Sequence, residues 1–123
     1  MTDPAALEAF VRKFDKELAA GITALALLAV LGAGTPLYGY QIAKRLERDG
    51  GGVLAGKQSA LYPVLRGLQA AGLLRSDVQP SLSGPPRRYY RITALGRAAL
   101  AQCGTHWRET RRIVDDLIGG DPP

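Results

Sequence analysis

The side chains best suited to catalysis in this chain are its only cysteine and its only histidine, Cys103 and His106. They stand three residues apart on a predicted helix, where a thiol and an imidazole could act as nucleophile and base. Such a pair usually needs a third group that orients the base, and one histidine leaves no plausible metal cluster. We therefore expect no catalytic residue, no metal site and no cofactor. Cys103 is interpreted as a buried structural thiol, with a redox-sensing thiol as the alternative.

Basic side chains are the second candidate for chemistry, because they are concentrated in one part of the chain. Residues 37–93 carry nine Lys or Arg against three acidic residues, a net charge of +6, whereas the whole chain has +5. Residues 1–36 have three basic and four acidic side chains, and residues 94–123 have four of each. A local excess of cations displaces counterions from phosphate backbones, so the middle segment is predicted to bind a polyanion. A solvated basic surface is the alternative from charge alone.

Length and composition limit the class of protein. A chain of 123 residues that is 46% hydrophobic and 22% charged fits one globular domain rather than a disordered chain or a disulfide scaffold. The longest apolar run, residues 22–31, has ten residues, about half of the ~20 that cross a bilayer. The single cysteine and the lack of a secretion signal favour a cytoplasmic protein without membrane contact.

Three helices are predicted in the first part of the chain, over residues 4–20, 22–33 and 37–49. Asp3 is a suitable N-cap for the first helix, and Gly21 either separates the first two helices or lets them continue as one. The first helix has an apolar stripe that needs a partner surface, formed by Leu7, Phe10, Val11, Phe14 and Leu18.

A fourth helix is predicted over residues 59–71. Pro63 lacks a backbone N–H and is tolerated only near the first turn, so we expect the regular helix to begin at Ser59 or later. The buried stripe of this helix is formed by Leu61, Val64, Leu65 and Leu68.

A β-hairpin and a long helix complete the predicted elements. Residues 73–78 and 87–92 alternate as two strands, and residues 79–86 are rich in proline, glycine and serine, which predicts the connecting turn. Thr93 is the predicted N-cap of a helix over residues 94–118. Helices followed directly by a hairpin are the layout of a winged helix-turn-helix module.

The predicted fold class is therefore mainly α with a small β-hairpin. We divide the chain into four segments, and the segment of charge +6 coincides with the helix pair and the hairpin. The segments are an N-terminal helical extension (residues 1–20), a winged helix-turn-helix DNA-binding domain (21–93), a C-terminal dimerisation helix (94–118) and a disordered tail (119–123).

Three motifs follow one another along the chain: YGYQIAKRL at residues 38–46, LYPVLRGL at 61–68 and GPPRRYYRIT at 84–93. In this order they resemble the PadR family of bacterial transcriptional repressors, in its compact subgroup with a single C-terminal helix. The chain departs from the family pattern before the LYP triplet, where its hydroxyl stands at Ser59, one position away. Residues 3–20 match nothing in the family pattern.

The resemblance implies a homodimer that binds double-stranded DNA. The hypothesis is a transcriptional repressor that binds a pseudo-palindromic operator and is released by a small molecule or a stress signal. A winged-helix module that makes only protein–protein contacts, without operator binding, is the alternative.

The predicted DNA contacts lie on the helix pair and on the hairpin. Tyr62 lies opposite the buried stripe of the fourth helix, where its phenol can donate to a phosphate, whereas Tyr40 is assigned to the core. Arg87 and Arg88 are expected to point to opposite faces of their strand, so that one of them reaches DNA. The complete predicted set is Tyr38, Lys44, Lys57, Gln58, Ser59, Tyr62, Arg66, Arg87 and Arg88.

The last helix carries a long apolar stripe with nothing left in its own chain to cover, which favours a homodimer interface. Some compact relatives place a tryptophan beside a dimer-interface cavity for flat aromatic effectors, and Trp107 stands at that position; plain interface packing is the alternative. With no room for a separate ligand domain, an effector would bind in the dimer interface. The predicted interface and pocket residues are Phe10, Phe14, Cys103, Trp107, Val114 and Leu117.

Overall fold

The computed structural model describes residues 3–50 and 58–119. Within them, three short strands form one antiparallel sheet in the order β1-β3-β2, beside four helices. This mainly α architecture with a hairpin confirms the predicted fold class. The elements are α1 (Pro4–Leu31), β1 (Leu37–Tyr38), α2 (Gly39–Asp49), α3 (Gln58–Ala70), β2 (Leu74–Ser81), β3 (Gly84–Ile92) and α4 (Ala94–Ile118).

Helix α1 is one continuous helix of 28 residues, so the alternative with a break at Gly21 is wrong. The Asp3 carboxylate accepts from the backbone N–H of Ala5 at 3.0 Å and caps the first turn. A glycine inside a helix costs only ~1 kcal/mol, which the unbroken hydrogen bonds on both sides outweigh. The predicted boundary between residues 20 and 21 therefore falls inside α1.

The core forms where the C-terminal half of α1 meets α2, α3 and the sheet. Leu27 and Leu31 of α1 are fully buried, and Ile42 of α2 and Leu65 of α3 pack into the same cluster. The N-terminal half of α1 contributes nothing to this core, and its apolar side chains are exposed. The buried apolar residues are Leu27, Leu28, Leu31, Ile42, Leu46, Leu61, Leu65, Leu68, Leu74 and Tyr90.

Thr93 joins the sheet to α4, as predicted for an N-cap. Its hydroxyl accepts from the backbone N–H of Gly96 at 3.0 Å and donates to the carbonyl oxygen of Gly72 at 2.7 Å. At Gly96 a Cβ would lie 2.1 Å from the carbonyl oxygen of Leu73, so only glycine permits this approach. Arg97 donates to the carbonyl oxygen of Gly32 at 3.0 Å and ties α4 to the end of α1.

The wing, defined as β2, β3 and the turn between them, is longer than expected. Strand pairing continues to Ser81 and Gly84, so the turn contains only Leu82 and Ser83 rather than residues 79–86. Pro80 stands at an irregularity in the register, where its missing N–H breaks no regular hydrogen bond.

Strand β1 was not predicted, because its two residues were assigned to the start of a helix. Leu37 and Tyr38 pair with Tyr90 and Tyr89 and add a third strand to the hairpin. The predicted disordered tail falls mainly on residues 120–123, which lie outside the described residues; Gly119 ends α4 with φ of 107°. No helix in the described part of the chain is long and apolar enough to cross a membrane.

Candidate nucleic-acid interface

Helix α3 turns its buried stripe toward the core and its opposite face toward solvent. Leu61 and Leu65 are buried, whereas Ser59 and Arg66 are exposed. Within the described residues the helix is present from Gln58 onward, so Pro63 lies inside the helix and beyond its first turn. Its position on the exposed side leaves the unpaired carbonyl of the preceding turn accessible to water.

The Tyr62 phenol lies across the start of α2. The side-chain amide of Gln58 donates to the Tyr62 hydroxyl oxygen at 2.5 Å. A Cβ on Gly39 would lie 2.8 Å from this oxygen and 3.0 Å from the ring, so the glycine gives the phenol its space. Because its oxygen accepts from Gln58, the phenol proton is free to be donated outward, to a phosphate or a base edge.

Tyr38 and Tyr40 form an aromatic pair at the N-terminus of α2, with ring centroids 6.3 Å apart and ring planes 20° apart. The Lys44 ammonium lies 5.7 Å from the centre of the Tyr40 ring and 3.8 Å from the Glu47 carboxylate. Assigning Tyr40 to the core was wrong, because 51% of this residue is exposed. The i, i+4 spacing from the outward-pointing Lys44 already placed Tyr40 on the solvent face.

The two wing arginines are neighbours on β3 and make different contacts within the protein. The Arg87 guanidinium lies 4.5 Å above the ring of Tyr38, whose edge meets Tyr89 with centroids 5.3 Å apart. Arg88 donates to the Ser76 hydroxyl oxygen at 3.0 Å. Each arginine therefore has one contact within the protein and donors left for a ligand.

A short chain of hydrogen bonds connects the wing to α3. The Ser76 hydroxyl accepts from Arg88 and donates to the side-chain oxygen of Gln69 at 2.8 Å. The helical spacing places Gln69 on the exposed face of α3, but its contact with Ser76 of the wing depends on the tertiary fold and cannot be predicted from the sequence alone.

Two clefts lie between α3 and the wing, and Tyr62 and Arg88 line both of them. The first has a volume of about 770 Å³ and the second about 550 Å³. Burial raises the pKa of Tyr90 at the first cleft, and Arg88 partly offsets this. The first is lined by Tyr62, Arg66, Gln69, Ala70, Arg88 and Tyr90, and the second by Tyr38, Gly39, Tyr40, Gln58, Tyr62, Arg88 and the wing residues 83–87.

Each acidic side chain of the basic segment forms an ion pair, and none of these acidic side chains lines either cleft. Asp49 accepts from Arg45 at 2.8 Å and from Arg48 at 3.0 Å, and hydrogen bonds to these two arginines lower the pKa of its carboxyl. Asp77 lies 3.7 Å from Arg91. Within residues 3–50 and 58–119, the basic side chains of this segment that form no ion pair are Arg66, Arg75, Arg87 and Arg88.

The predicted DNA contacts fall into three positions. Tyr38, Gln58, Tyr62, Arg87 and Arg88 meet at the second cleft, and Arg66 lines the first with Tyr62 and Arg88. Ser59 is exposed on α3, and Lys44 is exposed on α2. Lys57 lies outside the described residues.

A separate groove of about 510 Å³ lies between α1 and α4. Cys103 and Trp107 line it together with the middle of α1, around Leu18 and Leu25. Within this chain Cys103 is exposed, so the expectation of a buried thiol is wrong.

Four of the predicted pocket residues do not line this groove in a single chain. They lie further along the two helices and are exposed: Phe10, Phe14, Val114 and Leu117. Among the residues that the structure describes, no three His, Cys, Asp or Glu side chains are grouped so that they could hold a metal ion.

Comparison with known proteins agrees with this architecture. Residues 27–102 match the PadR-like family of transcriptional regulators. The transcriptional regulator Rv3488 of Mycobacterium tuberculosis is 39% identical over 88 residues, which are 72% of this chain and 76% of that protein.

Solved structures extend the similarity to the whole fold. A PadR family regulator from Eggerthella lenta is 30% identical, with a TM-score of 0.81 over 95% of this chain and 99% of its own. A PadR-like regulator from Bacillus cereus is 25% identical, with a TM-score of 0.71 over 85% and 99%. These relatives are regulators and not enzymes, which agrees with the expected lack of a catalytic site. From its motifs, its winged helix-turn-helix fold and these relatives, the chain belongs to the PadR-like family of transcriptional regulators.

Proposed function

We propose that this chain is a sequence-specific DNA-binding regulator that acts as a homodimeric repressor. The observation that carries the proposal is the position of Arg66, Arg87 and Arg88, which form no ion pair within the described residues and border the clefts beside Tyr62. Cations without acidic partners in a concave surface bind phosphate oxygens and release condensed counterions.

In this proposal α3 enters the major groove. Gln58 and Arg66 have the donors that recognise base edges, and Tyr62 donates from the neighbouring turn to a phosphate or a base. The wing follows the backbone beside this groove, with Arg87 and Arg88 near the phosphates. Lys44 strengthens binding from α2 without reading sequence.

The dimer is supported by two exposed apolar faces. Phe10 and Phe14 of α1 are 67% and 52% exposed, and Leu117 of α4 is 80% exposed. A run of large apolar side chains on both long helices is unusual for a monomer. A two-fold pairing through these helices would present two copies of α3 to a pseudo-palindromic operator.

The groove between α1 and α4 supports the proposal of an effector site. Trp107 offers a flat apolar surface beside Leu18 and Leu25, on which an aromatic molecule could stack. Because α1 and α4 would also form the dimer interface, such binding would change the dimer geometry and, with it, DNA binding. Release of the repressor by such a molecule or by a stress signal would follow. Because the ligand is chromosomal DNA, the proposed place of action is the cytoplasm.

A titration of labelled DNA from upstream of its own gene tests the proposal. We expect specific binding that weakens about 10³-fold or more between ~50 and ~200 mM salt. Arg87→Gln should reduce the slope of log affinity against log salt by about 1, because one phosphate contact is lost. The matched control is Arg112→Gln on α4, where Arg112 lies 3.8 Å from Glu109; its slope should equal that of the wild type.

Two results would contradict the proposal. Binding that is equally strong to unrelated DNA would remove sequence specificity. The lack of any binding at low salt would instead favour a winged-helix module for protein–protein contacts.

A further inference from the structure

The outer part of the wing contains no charge. Residues 78–86, which we call the outer wing, include no Asp, Glu, Lys or Arg, although they lie in the segment with the highest net positive charge. The positive charge begins directly at its base, with Arg87 and Arg88. A wing that contacted only phosphates would need cations toward its tip, and this one has none there.

Leu82 stands at the apex and is completely exposed, at 108% relative exposure. It occupies the turn of two residues between β2 and β3, and Val78 further down is 53% exposed. The outer wing also contains Pro80, Pro85 and Pro86, whose rings fix φ. An apolar side chain is therefore held out on a stiff hairpin, which lowers the entropy that is lost when it binds.

The outer wing lies beside the proposed DNA surface. Its residues Ser83, Gly84 and Pro85 line the same cleft as Gln58 and Tyr62 at the beginning of α3. Gly84 precedes Arg88 by four residues, which corresponds to about 13 Å of strand at a rise of ~3.3 Å per residue. This reach exceeds the ~7.5 Å depth of a minor groove.

We propose that Leu82 enters the DNA minor groove next to the major groove that α3 occupies, and acts there as an apolar wedge at a base step. The inference rests on the proposed DNA binding and deepens it. Arg87 and Arg88 at the base of the outer wing hold the phosphates on the rim of the groove. Leucine is one of the side chains that partly unstack base steps and bend DNA in this way.

Two consequences follow from the chemistry of the wedge. Its contribution to affinity is apolar, so it is independent of salt, unlike that of the arginines. It also depends on how easily the base step unstacks, so flexible pyrimidine–purine steps such as TA should be preferred at the position of the wing. The wing then contributes specificity without hydrogen bonds to bases.

The test compares Leu82→Ala with the wild type in a binding titration at several salt concentrations, and in energy transfer between dyes at the two ends of the operator. We expect Leu82→Ala to bind about tenfold more weakly, with an unchanged salt slope and a smaller bend. Leu82→Met keeps an apolar wedge and should restore both affinity and bend. The matched control is Leu95→Ala, which truncates another exposed leucine, 57% exposed and outside the wing.

The outcomes separate this inference from the proposed function. If the wild type binds its operator and Leu82→Ala binds and bends it equally, the wedge is overturned while DNA binding stands. If Leu82→Ala changes only the binding of another protein, the wedge is overturned as well. If the wild type binds no DNA, the proposed function itself fails.

Discussion

At the scale of single residues, the close approach of Gly39 to Tyr62 is the most demanding contact of the candidate site. The phenol occupies the space where any other residue at position 39 would place its Cβ. The amide nitrogen of Gln58 would lie 3.1 Å from the same Cβ, so this side chain is crowded as well. A methyl group there must therefore displace the Tyr62 ring.

We expect Gly39→Ala to fold and to bind DNA at least tenfold more weakly, because the displaced phenol loses its hydrogen-bonding position. Gly67→Ala is the control on α3, where a Cβ meets nothing within 4 Å. It should stabilise the protein by about 0.5–1 kcal/mol, since alanine is favoured over glycine inside a helix. Anisotropy titrations and thermal unfolding measure both effects; unchanged operator affinity in Gly39→Ala would show that the ring position is irrelevant to binding.

The residues of the candidate site could be predicted where helical spacing decides exposure. Tyr62 and Arg66 were placed on the outer face of α3 because the buried leucines define the inner face. Tyr40 was misassigned because tyrosine is compatible with a core, and its stacking on Tyr38 is visible only in three dimensions. Cys103 was misassigned because its burial depends on what covers this part of α4, and the groove that it lines with α1 leaves it exposed within one chain.

At the scale of elements, the helices were the most predictable part and the ends of the strands the least. Caps and apolar periods located α2, α3 and α4 to within one or two residues. The continuity of α1 through Gly21 was left open, because a glycine is compatible both with the end of a helix and, at a cost of ~1 kcal/mol, with its interior. The length of the wing turn was overestimated because its prolines were taken to end the strands. Pro80 lies at an irregularity of β2, and Pro85 and Pro86 lie on the part of β3 that does not pair with β1.

Thr93 connects the sheet to α4 through the hydrogen bonds of its hydroxyl group. We expect Thr93→Val to destabilise the protein by about 1–2 kcal/mol, because the N-cap and the bond to the Gly72 carbonyl are lost while the shape is kept. Thr105→Val in the middle of α4 is the control. Its hydroxyl donates to the carbonyl of Ala101 at 3.1 Å on the exposed surface, so the change should be within ~0.5 kcal/mol. Urea unfolding at one protein concentration compares the two, and equal midpoints would rule out a special role for the cap.

At the scale of the whole molecule, charge and apolar surface are separated. The sheet and α3 hold the arginines of the basic segment that form no ion pair within the described residues, whereas the outer halves of α1 and α4 hold exposed apolar side chains and ion pairs within one helix, such as Lys13 with Glu17 at 4.0 Å. The net positive charge therefore lies with the sheet, α2 and α3, which are the elements of the proposed DNA surface. The sequence predicted this division from the charge count, and it predicted from the apolar stripes of the first and last helices that both need a partner surface.

The proposed dimer makes the strongest prediction at this scale. Phe14→Glu places a carboxylate in the exposed apolar face of α1, whereas Ala9→Glu places the same group on the opposite face of the same helix. In a two-fold interface each substitution occurs twice, and removing two buried phenylalanines costs about 3–6 kcal/mol. We therefore expect Phe14→Glu to weaken dimerisation about 100-fold or more. Ala9→Glu should leave the dimer intact.

Sedimentation equilibrium and the dependence of Tm on protein concentration measure this difference. If Phe14→Glu is monomeric, it should also bind the operator more weakly than the wild type, because two half-sites are no longer bound by one molecule. The core of each chain lies in the other half of α1, around Leu27, so the monomer should keep its helical content. If Phe14→Glu and Ala9→Glu sediment alike as dimers, the interface does not include this face of α1, and the exposed stripe requires another partner.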